Sequence, residues 1–363
     1  MKVLMVADSV CGNGIGNVVY RLYNSLISRG ISCDIVCYQK IDEVSKKIYD
    51  DGNKLIVIPR VSQGIIKYIK NIKKICKNGN YDVIHIHTSL LIFLAAYAAK
   101  KENVPIRIGH AHGSKFLNYP ELILKILEPV GRKMNRKYCT KFVTCSQESA
   151  IYNFGVNAEY IPNYVPTEQI MSIKESEIQK TRHLLAENDE VIFGYMGALS
   201  PIKNVGFLPE IFAEFKKMNF KSKLVIIGNG TEKDGIEEKV KSLNCADNII
   251  FLGHREDCNL LVQSFDYYIS ASKSEGMSLS MIEAQMAGKP CIVSSMIPDD
   301  SDMNIGLFHK IDSFAPKTWA NEIVELINNG MTPISKFDAY NKMKEKHLTE
   351  EDIVDKLIKI YLN

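Results

Sequence analysis

Two glutamates eight residues apart, Glu275 and Glu283, are the residues of this sequence best suited to hold a polyhydroxylated ligand. They lie in the stretch from Ser274 to Pro290, where a strand pattern gives way to a helix pattern. Between them, Gly276 permits a tight turn, and the backbone of Met277, Ser278 and Leu279 opens the helix. Amides at a helix start are donors without a partner in the helix, and they favour an anion. One carboxylate in the loop and one a turn or two into the helix can each accept a pair of hydrogen bonds from vicinal hydroxyls. A phosphate between two polyols fits that spacing, and a nucleotide sugar is such a molecule. Read structurally, the same residues form a helix start with acid near its positive end.

Other candidate groupings carry less. Gly12-Asn-Gly14-Ile-Gly16 follows the first strand pattern and precedes a helix, but its spacing is G-x-G-x-G rather than the dinucleotide fingerprint. The acid expected at the end of the second strand is missing: Gln39 is near that point and Asp34 lies at the strand start. NAD binding is therefore set aside. Four histidines form two strand-end pairs, His85/His87 and His110/His112, and strand alternation puts both rings of a pair on one face. Two such pairs suggest a metal site, yet no acid or cysteine joins them at ligand spacing, so His85, His87 and His110 read as structural. Asp300-Ser-Asp302 is formally a D-x-D, but it sits in a polar loop past a strand and reads as solvated. No metal ligand is assigned.

These residues need elements to position them. Short β-branched strands alternate with helices through the first half: Lys2–Ala7, Cys33–Tyr38, Lys54–Ile58, Val83–His87, Ile106–His110 and Phe142–Cys145 as strands, with helices at Gly16–Arg29, Val61–Lys77, Leu90–Lys100 and Pro120–Lys137. The pattern restarts with strands at Val191–Met196, Lys223–Ile227, Ile249–Leu252, Asp266–Ile269 and Pro290–Val293 and helices at Asn204–Met218, Thr231–Leu243 and Leu279–Ala287. Such alternation implies βαβ units and parallel sheets. The join falls between Ile161 and about Glu190, where Ile161-Pro-Asn-Tyr-Val-Pro166 carries two prolines and a polar, charged stretch follows to Asn188. A cleft between two α/β halves is the default ligand site.

Composition agrees with this plan. The 363 residues allow two or three domains, and 46% hydrophobic with 24% charged residues excludes a disordered or fibrous chain. The longest apolar run, near Leu90–Ala99, is far shorter than a membrane span, and the first residues read as a strand without a leader's cleavage site. Nine scattered cysteines without a C-x-x-C suit reduced thiols in a cytoplasmic protein. The net charge of +3 hides a split: residues 1–165 hold 23 Lys and Arg against 12 Asp and Glu, the remainder 22 against 30. The basic half concentrates its charge in helices 65–77 and 122–137, patterned with isoleucine or leucine as membrane-surface helices are. It lacks a nucleic-acid-binding motif and aromatic interleaving, so no nucleic-acid partner is expected.

Several of these segments, taken in order, resemble the retaining glycosyltransferases of family 4, which have the GT-B fold. Ser274–Pro290 looks like that family's E-x7-E donor signature, Gly14-Ile-Gly-Asn-Val-Val19 its N-terminal loop, and Ile161-Pro-Asn163 its interdomain linker. Gly197-Ala-Leu-Ser-Pro-Ile-Lys203 resembles its phosphate-binding loop, and Leu224–Gly230 and Ile250–Asp257 its nucleotide-domain strands and base-binding loop. The resemblance implies two Rossmann-like parallel-sheet domains facing a central cleft: an acceptor-binding domain over 1–165, a donor-binding domain over 166–345, and a C-terminal helix over 346–363 packing back on the first.

It also implies roles. Glu283 would bind ribose hydroxyls, Glu275 sugar hydroxyls, and the amides of Met277, Ser278 and Leu279 the sugar and diphosphate. Lys203 would neutralise the leaving diphosphate, a fixed cation offsetting growing charge without a metal; its structural alternative is a solvated first-turn lysine. Gly14 and Gly16 would flank the diphosphate, Gly197, Gly228 and Arg255 would complete the donor site, and His112, ahead of Gly113-Ser114, would contact the transferred sugar. The sequence departs from the family at Ala198, where an arginine usually shares the diphosphate. The implied reaction moves a hexosyl or N-acetylhexosaminyl group from a nucleotide sugar, UDP by family frequency, to a glycan or lipid-linked acceptor in bacterial surface polysaccharide biosynthesis. It needs no cofactor beyond the donor, and the protein would be cytoplasmic, peripheral on the inner membrane face. The alternatives are an epimerase on the same fold or a non-catalytic donor-binding partner.

Overall fold

The computed structural model describes residues 1–40, 42–113, 121–187 and 189–363. Ser114, Pro120 and Asn188, which bounded features read from the sequence, lie outside the described residues. The chain divides into two compact units, Met1–Tyr164 with Glu351–Asn363, and Val165–Glu350. The sequence reading had set these borders at 165 and 346.

The first unit begins β1 (Lys2–Val6), α1 (Gly14–Ile27), β2 (Ser32–Cys37), α2 (Asp42–Asp50), β3 (Leu55–Val57) and α3 (Ile65–Gly79). It continues β4 (Val83–Ile86), α4 (Ile92–Lys101), β5 (Ile106–Ala111), α5 (Glu121–Tyr138), β6 (Lys141–Thr144), α6 (Gln147–Phe154) and β7 (Glu159–Tyr160). Among the described residues the strands make a seven-stranded sheet in the order β3-β2-β1-β4-β5-β6-β7, parallel throughout. Chain order reverses between β1 and β4, the point where open α/β sheets bind ligands.

Both sheet faces are covered, which is why Val3–Val6 is a continuous apolar run rather than an alternating one. Val3 and Met5 pack with Leu22, Tyr23 and Leu26 on one face, while Leu4 and Val6 pack with Ile72, Ala95 and Ala99 on the other. The first face is completed by the chain's last helix (Glu350–Leu362), whose Ile353, Val354, Leu357 and Tyr361 form one buried stripe. Burial of each such side chain contributes on the order of 1.5–3 kcal/mol.

The second unit runs α7 (Thr167–Met171), α8 (Glu175–Leu185), β8 (Val191–Met196), α9 (Leu208–Lys217), β9 (Ser222–Ile227), α10 (Lys233–Ser242) and β10 (Ile249–Gly253). There follow α11 (Cys258–Gln263), β11 (Tyr267–Ser270), α12 (Leu279–Met286), β12 (Cys291–Ser294), β13 (Phe308–Ile311), α13 (Pro316–Asn328) and α14 (Lys336–Glu345), so the last helix is α15. The strands form a parallel sheet in the order β10-β9-β8-β11-β12-β13, with the reversal between β8 and β11.

The structure departs from the sequence reading in places with clear causes. The polar stretch after the prolines is helical: Ile170, Ile178 and Leu185 are buried at intervals of seven and eight residues, a sparse stripe on α7 and α8 among charged neighbours. The segments after Val293 add β13, α13 and α14, the first with only half-covered side chains until Ile311. The helix expected from Asn204 starts instead as a single tight turn at Val205–Phe207, because Asn204 takes a left-handed conformation and Pro209 favours the first turn of α9.

Candidate active site

In the second unit the loops after β8, β9, β10, β11 and β12 lie at one edge, because parallel strands all end on the same side. The loops after β8 and β11 flank the reversal point, and they carry Lys203 and Glu275. Asn204 ties them together by donating to the Ala271 carbonyl at 3.1 Å, and the Lys273 amide donates to the Ile202 carbonyl at 2.9 Å.

Lys203 and Glu275 meet there. The ammonium lies 2.5 Å from both carboxylate oxygens, with the Glu275 side chain only 9% exposed. The Ser272 hydroxyl donates to Glu275 Oε1 at 2.9 Å, and the Ser294 hydroxyl anchors Ser272 through its carbonyl. Tyr195 lies close by: its hydroxyl donates to the Ala198 carbonyl at 3.0 Å, and burial, with the Glu275 charge adding to it, raises its pKa far above the ordinary phenol value. The two groups expected to hold separate parts of a ligand thus hold each other in this structure, as adjacent opposite charges do.

The glycines have specific causes. Gly228 has φ +133°, and a Cβ on it would lie 1.9 Å from the Gly197 carbonyl oxygen. Glycine alone lets the loops after β8 and β9 close on one another. Gly197 itself donates to the Ile227 carbonyl at 2.9 Å. In the first unit a Cβ on Gly16 would meet Ser9 Oγ at 2.7 Å and the Cys11 amide at 2.9 Å, whereas Gly14 faces open space. Gly16 is therefore required by its own loop, which Asn13 closes by accepting from the Gly16 amide at 2.8 Å.

The start of α12 is also more occupied than expected. The Ser278 amide donates to Ser301 Oγ at 3.1 Å, and Ser301 in turn donates to the Gly276 carbonyl at 3.3 Å. Gln285 braces the same turn, donating to the Ser301 carbonyl at 2.7 Å and accepting from the Met303 amide at 2.8 Å. Of the amides at Met277, Ser278 and Leu279, that of Ser278 is thus already bonded within the chain. Ser301 lies inside the D-x-D, whose Asp300 and Asp302 are half-buried rather than solvated; Asp302 accepts from the Asn304 amide at 2.7 Å, and burial raises its pKa. Ser272, Ser301 and Gln285 escaped the sequence reading because a lone serine or glutamine carries no spacing signal.

Glu283 is 9% exposed on α12. Its charge acts on Cys258 at the start of α11, whose thiol is pushed up to about 11 by burial and then by Glu283 and Asp257. Glu283 therefore lies near the start of α11, to which the loop after β10 leads. Arg255 on that loop forks onto Asp257 at 2.8 and 2.7 Å. Ala198 is exposed.

The four histidines of the first unit come together beneath the ends of β4 and β5. His85 Nε2 lies 3.1 Å from His110 Nδ1, and His87 Nδ1 lies 2.9 Å from His112 Nε2. Along each strand the rings lie close, His85 tilted by 39° against His87 and His110 stacked on His112, with centroids 4.1 and 4.0 Å apart. His85 Nδ1 also bonds the Tyr361 hydroxyl of α15 at 2.7 Å. Ring nitrogens of His85, His87 and His110 lie within 4.8 Å of one another, a grouping able to hold a metal ion, which the sequence reading had weighed and set aside for want of an acid or cysteine ligand. Both nitrogens of His85 are engaged, however, one by Tyr361 and one by His110. Burial lowers the basicity of all four, His85 to about 3 and His112 to about 4, and their mutual repulsion lowers the first three further.

Two units, each built on a parallel Rossmann-like sheet, are the architecture of the GT-B glycosyltransferases. Comparison with known proteins agrees. HepE of Anabaena, crystallised with UDP, has the same fold, with a TM-score of 0.81 over 99% of each chain at 16% identity. EpsF of Bacillus subtilis (strain 168), named a glycosyltransferase, is 25% identical over 89% of this chain and 86% of its own. The Escherichia coli UDP-Gal:alpha-D-GlcNAc-diphosphoundecaprenol alpha-1,3-galactosyltransferase is 23% identical over 91% of this chain and 89% of its own. Residues 12–169 match the family described as Glycosyltransferase Family 4, and residues 176–346 that described as Glycosyl transferases group 1. The chain belongs to the family 4 glycosyltransferases.

Proposed function

We propose that this glycosyltransferase moves a hexosyl or N-acetylhexosaminyl group from a UDP-sugar to a glycan or lipid-linked acceptor, with retention at the anomeric carbon. The observation that carries this reading is the Lys203–Glu275 pair at the reversal point of the second sheet. An arriving donor splits the pair: the ammonium turns to the diphosphate and the carboxylate to sugar hydroxyls. Glu283 accepts from the ribose, and Gly197, Gly228, Arg255 and the α12 start complete the donor site. The candidate ligand contacts of the first unit are His112 and the loop of Gly14 and Gly16. The acceptor oxygen bonds to the anomeric carbon as the bond to the diphosphate breaks, and the acceptor proton passes to the departing diphosphate. Lys203 offsets the charge that develops there, in place of a metal ion. UDP as the nucleotide is supported by HepE, crystallised with it, and by the name of the E. coli relative.

The basic helices supply the acceptor side. Ile65, Ile66, Ile123, Ile126 and Val130 are exposed on α3 and α5 beside Lys67, Lys70, Lys133 and Lys137, which suits a peripheral seat on an anionic membrane where lipid-linked acceptors reside. Among the described residues no helix is long and apolar enough to cross a membrane.

The test is a panel of nucleotide sugars with and without extracted lipid acceptors. Hydrolysis or transfer from one donor, abolished in Glu275→Ala, is the expected result; wild-type turnover in Glu275→Ala overturns the site. A second reading, donor binding without turnover, is favoured by Ala198 in place of the family's arginine and would show as UDP-sugar binding with no product. None of the relatives named above is an epimerase.

A further inference from the structure

Three of the four clustered histidines lie as the ligands of a metal ion do. One ring nitrogen from each of His85, His87 and His110 lies within 4.8 Å of the other two. All three side chains are buried, and all belong to the first unit. Neutral imidazole is the form that ligates, and burial favours it. The group does not satisfy its own hydrogen bonds. Each neutral ring carries one N–H and one lone pair. His87 Nδ1 and His112 Nε2 meet at 2.9 Å, so whichever ring donates, one outer nitrogen of the pair is an N–H and the other a bare lone pair. Both outer nitrogens, and His110 Nε2, are buried without a hydrogen-bond partner among the described residues. Buried polar groups left in this way call for an occupant, and an ion is one. His85 Nε2 and His110 Nδ1 face each other at 3.1 Å. With metal–nitrogen bonds of about 2.0–2.1 Å, two ligands of a tetrahedral ion stand about 3.3–3.4 Å apart. An ion that replaces the proton between these rings therefore needs them to separate by only about 0.3 Å.

We propose that His85, His87 and His110 bind one zinc ion inside the first unit, and that the ion ties β4 and β5 to the C-terminal helix. The bond of His85 Nδ1 to the Tyr361 hydroxyl, at 2.7 Å, is then the support that a ligating imidazole has: a partner on the far nitrogen fixes tautomer and ring orientation. His112 serves His87 in the same way through His87 Nδ1. The group holds no carboxylate and no thiol, which suits it to Zn2+ and its imidazole-binding neighbours and turns it away from Mg2+ and Ca2+. His112, half-buried past the end of β5, marks the side by which an ion and a water as fourth ligand reach the site. The ion is structural: no step of the transfer reaction passes through it.

The experiment uses the full chain, stripped with EDTA and dialysed, and Co2+ alone as the first probe. One ion bound per chain is expected, with the strong visible absorption of four-coordinate cobalt, lost on adding one equivalent of Zn2+. The other four histidines, His183, His254, His309 and His347, lie in the second unit; cobalt held there by solvated side chains has the pale spectrum of a six-coordinate ion. That pale spectrum, or no cobalt bound at micromolar concentration, overturns the proposal without any substitution. Zn2+ is also expected to raise the urea midpoint of the first unit, read by far-UV circular dichroism, and to leave the emission transition of Trp319 in the second unit where it was. An unmoved first-unit midpoint overturns a structural role. His110→Phe keeps ring volume but not the ligand, and is expected to weaken cobalt binding at least about a hundredfold; wild-type affinity in that variant, with wild-type dichroism, overturns the ligand set. Tyr361→Phe leaves every ligand in place and is expected to weaken binding about tenfold. Wild-type affinity there overturns the tie to the C-terminal helix.

Discussion

Acidification should unfold the first unit before the second, and the histidine array sets the size of the effect. An unfolded histidine titrates near 6.5, whereas in the folded unit His85 is held to about 3 and His112 to about 4 by burial. The folded values are the lower ones, so the unfolded chain binds more protons and stability falls as pH drops below about 6.5. At pH 5 each of these two groups withdraws about 2 kcal/mol, or about 4 kcal/mol together, from 1.36 kcal/mol per pH unit over 1.5 units. His87 and His110 are shifted the same way and add to this. Asp8, whose pKa burial raises, opposes them as a single group and at lower pH. A loss of 4 kcal/mol or more is comparable with the whole stability of an ordinary domain, about 5–15 kcal/mol. The chain supplies its own control. Its single tryptophan, Trp319, is fully buried in the second unit and donates to the Ser313 carbonyl at 2.7 Å. Urea titrations at pH 7.5, 6 and 5 are followed by far-UV circular dichroism, which reports both units, and by Trp319 emission, which reports the second. The expected result is a dichroism transition that moves to lower urea as pH falls, separating from a Trp319 transition that moves little. Coincident transitions with a pH-independent midpoint would refute the reasoning that four buried neutral histidines tie the first unit to neutral pH.

Further outcomes follow from the same structure. Ala198→Arg places a second cation on the exposed loop beside Lys203 and should tighten UDP binding about tenfold, measured by calorimetry at low salt. Ser301→Ala leaves the Ser278 amide without its acceptor and should cost about 1–3 kcal/mol in urea denaturation, seen in the Trp319 transition. Replacing Lys67, Lys70, Lys73 and Lys74 by Gln should weaken sedimentation with anionic vesicles by about 1 kcal/mol per charge near the surface, with no change for neutral vesicles. Equal binding of the variant to both would place the membrane contact elsewhere.

The sequence alone determined the repeated α/β pattern, the join at the two prolines and the pairing of Glu275 with Glu283 around a helix start. These are local signals: apolar periodicity, chain-breaking residues and spacing along one turn or two, all legible without knowing what packs on what. The sparse stripe of α7 and α8 and the half-covered β13 were not legible, because too few of their residues face a core to make a pattern. Tertiary structure decided the rest. Lys203 and Glu275 are 72 residues apart, and only the reversal of strand order between β8 and β11 brings them within hydrogen-bond reach. Gly16 is demanded by the close packing of its own loop, which spacing does not reveal. His85 and His87 meet His110 and His112 because β4 and β5 are register-paired neighbours, and Tyr361 joins them from the other end of the chain. A sequence states which residues can do chemistry; which of them share a proton or a charge depends on contacts across strands and loops, and those form only when the sheet closes over its core.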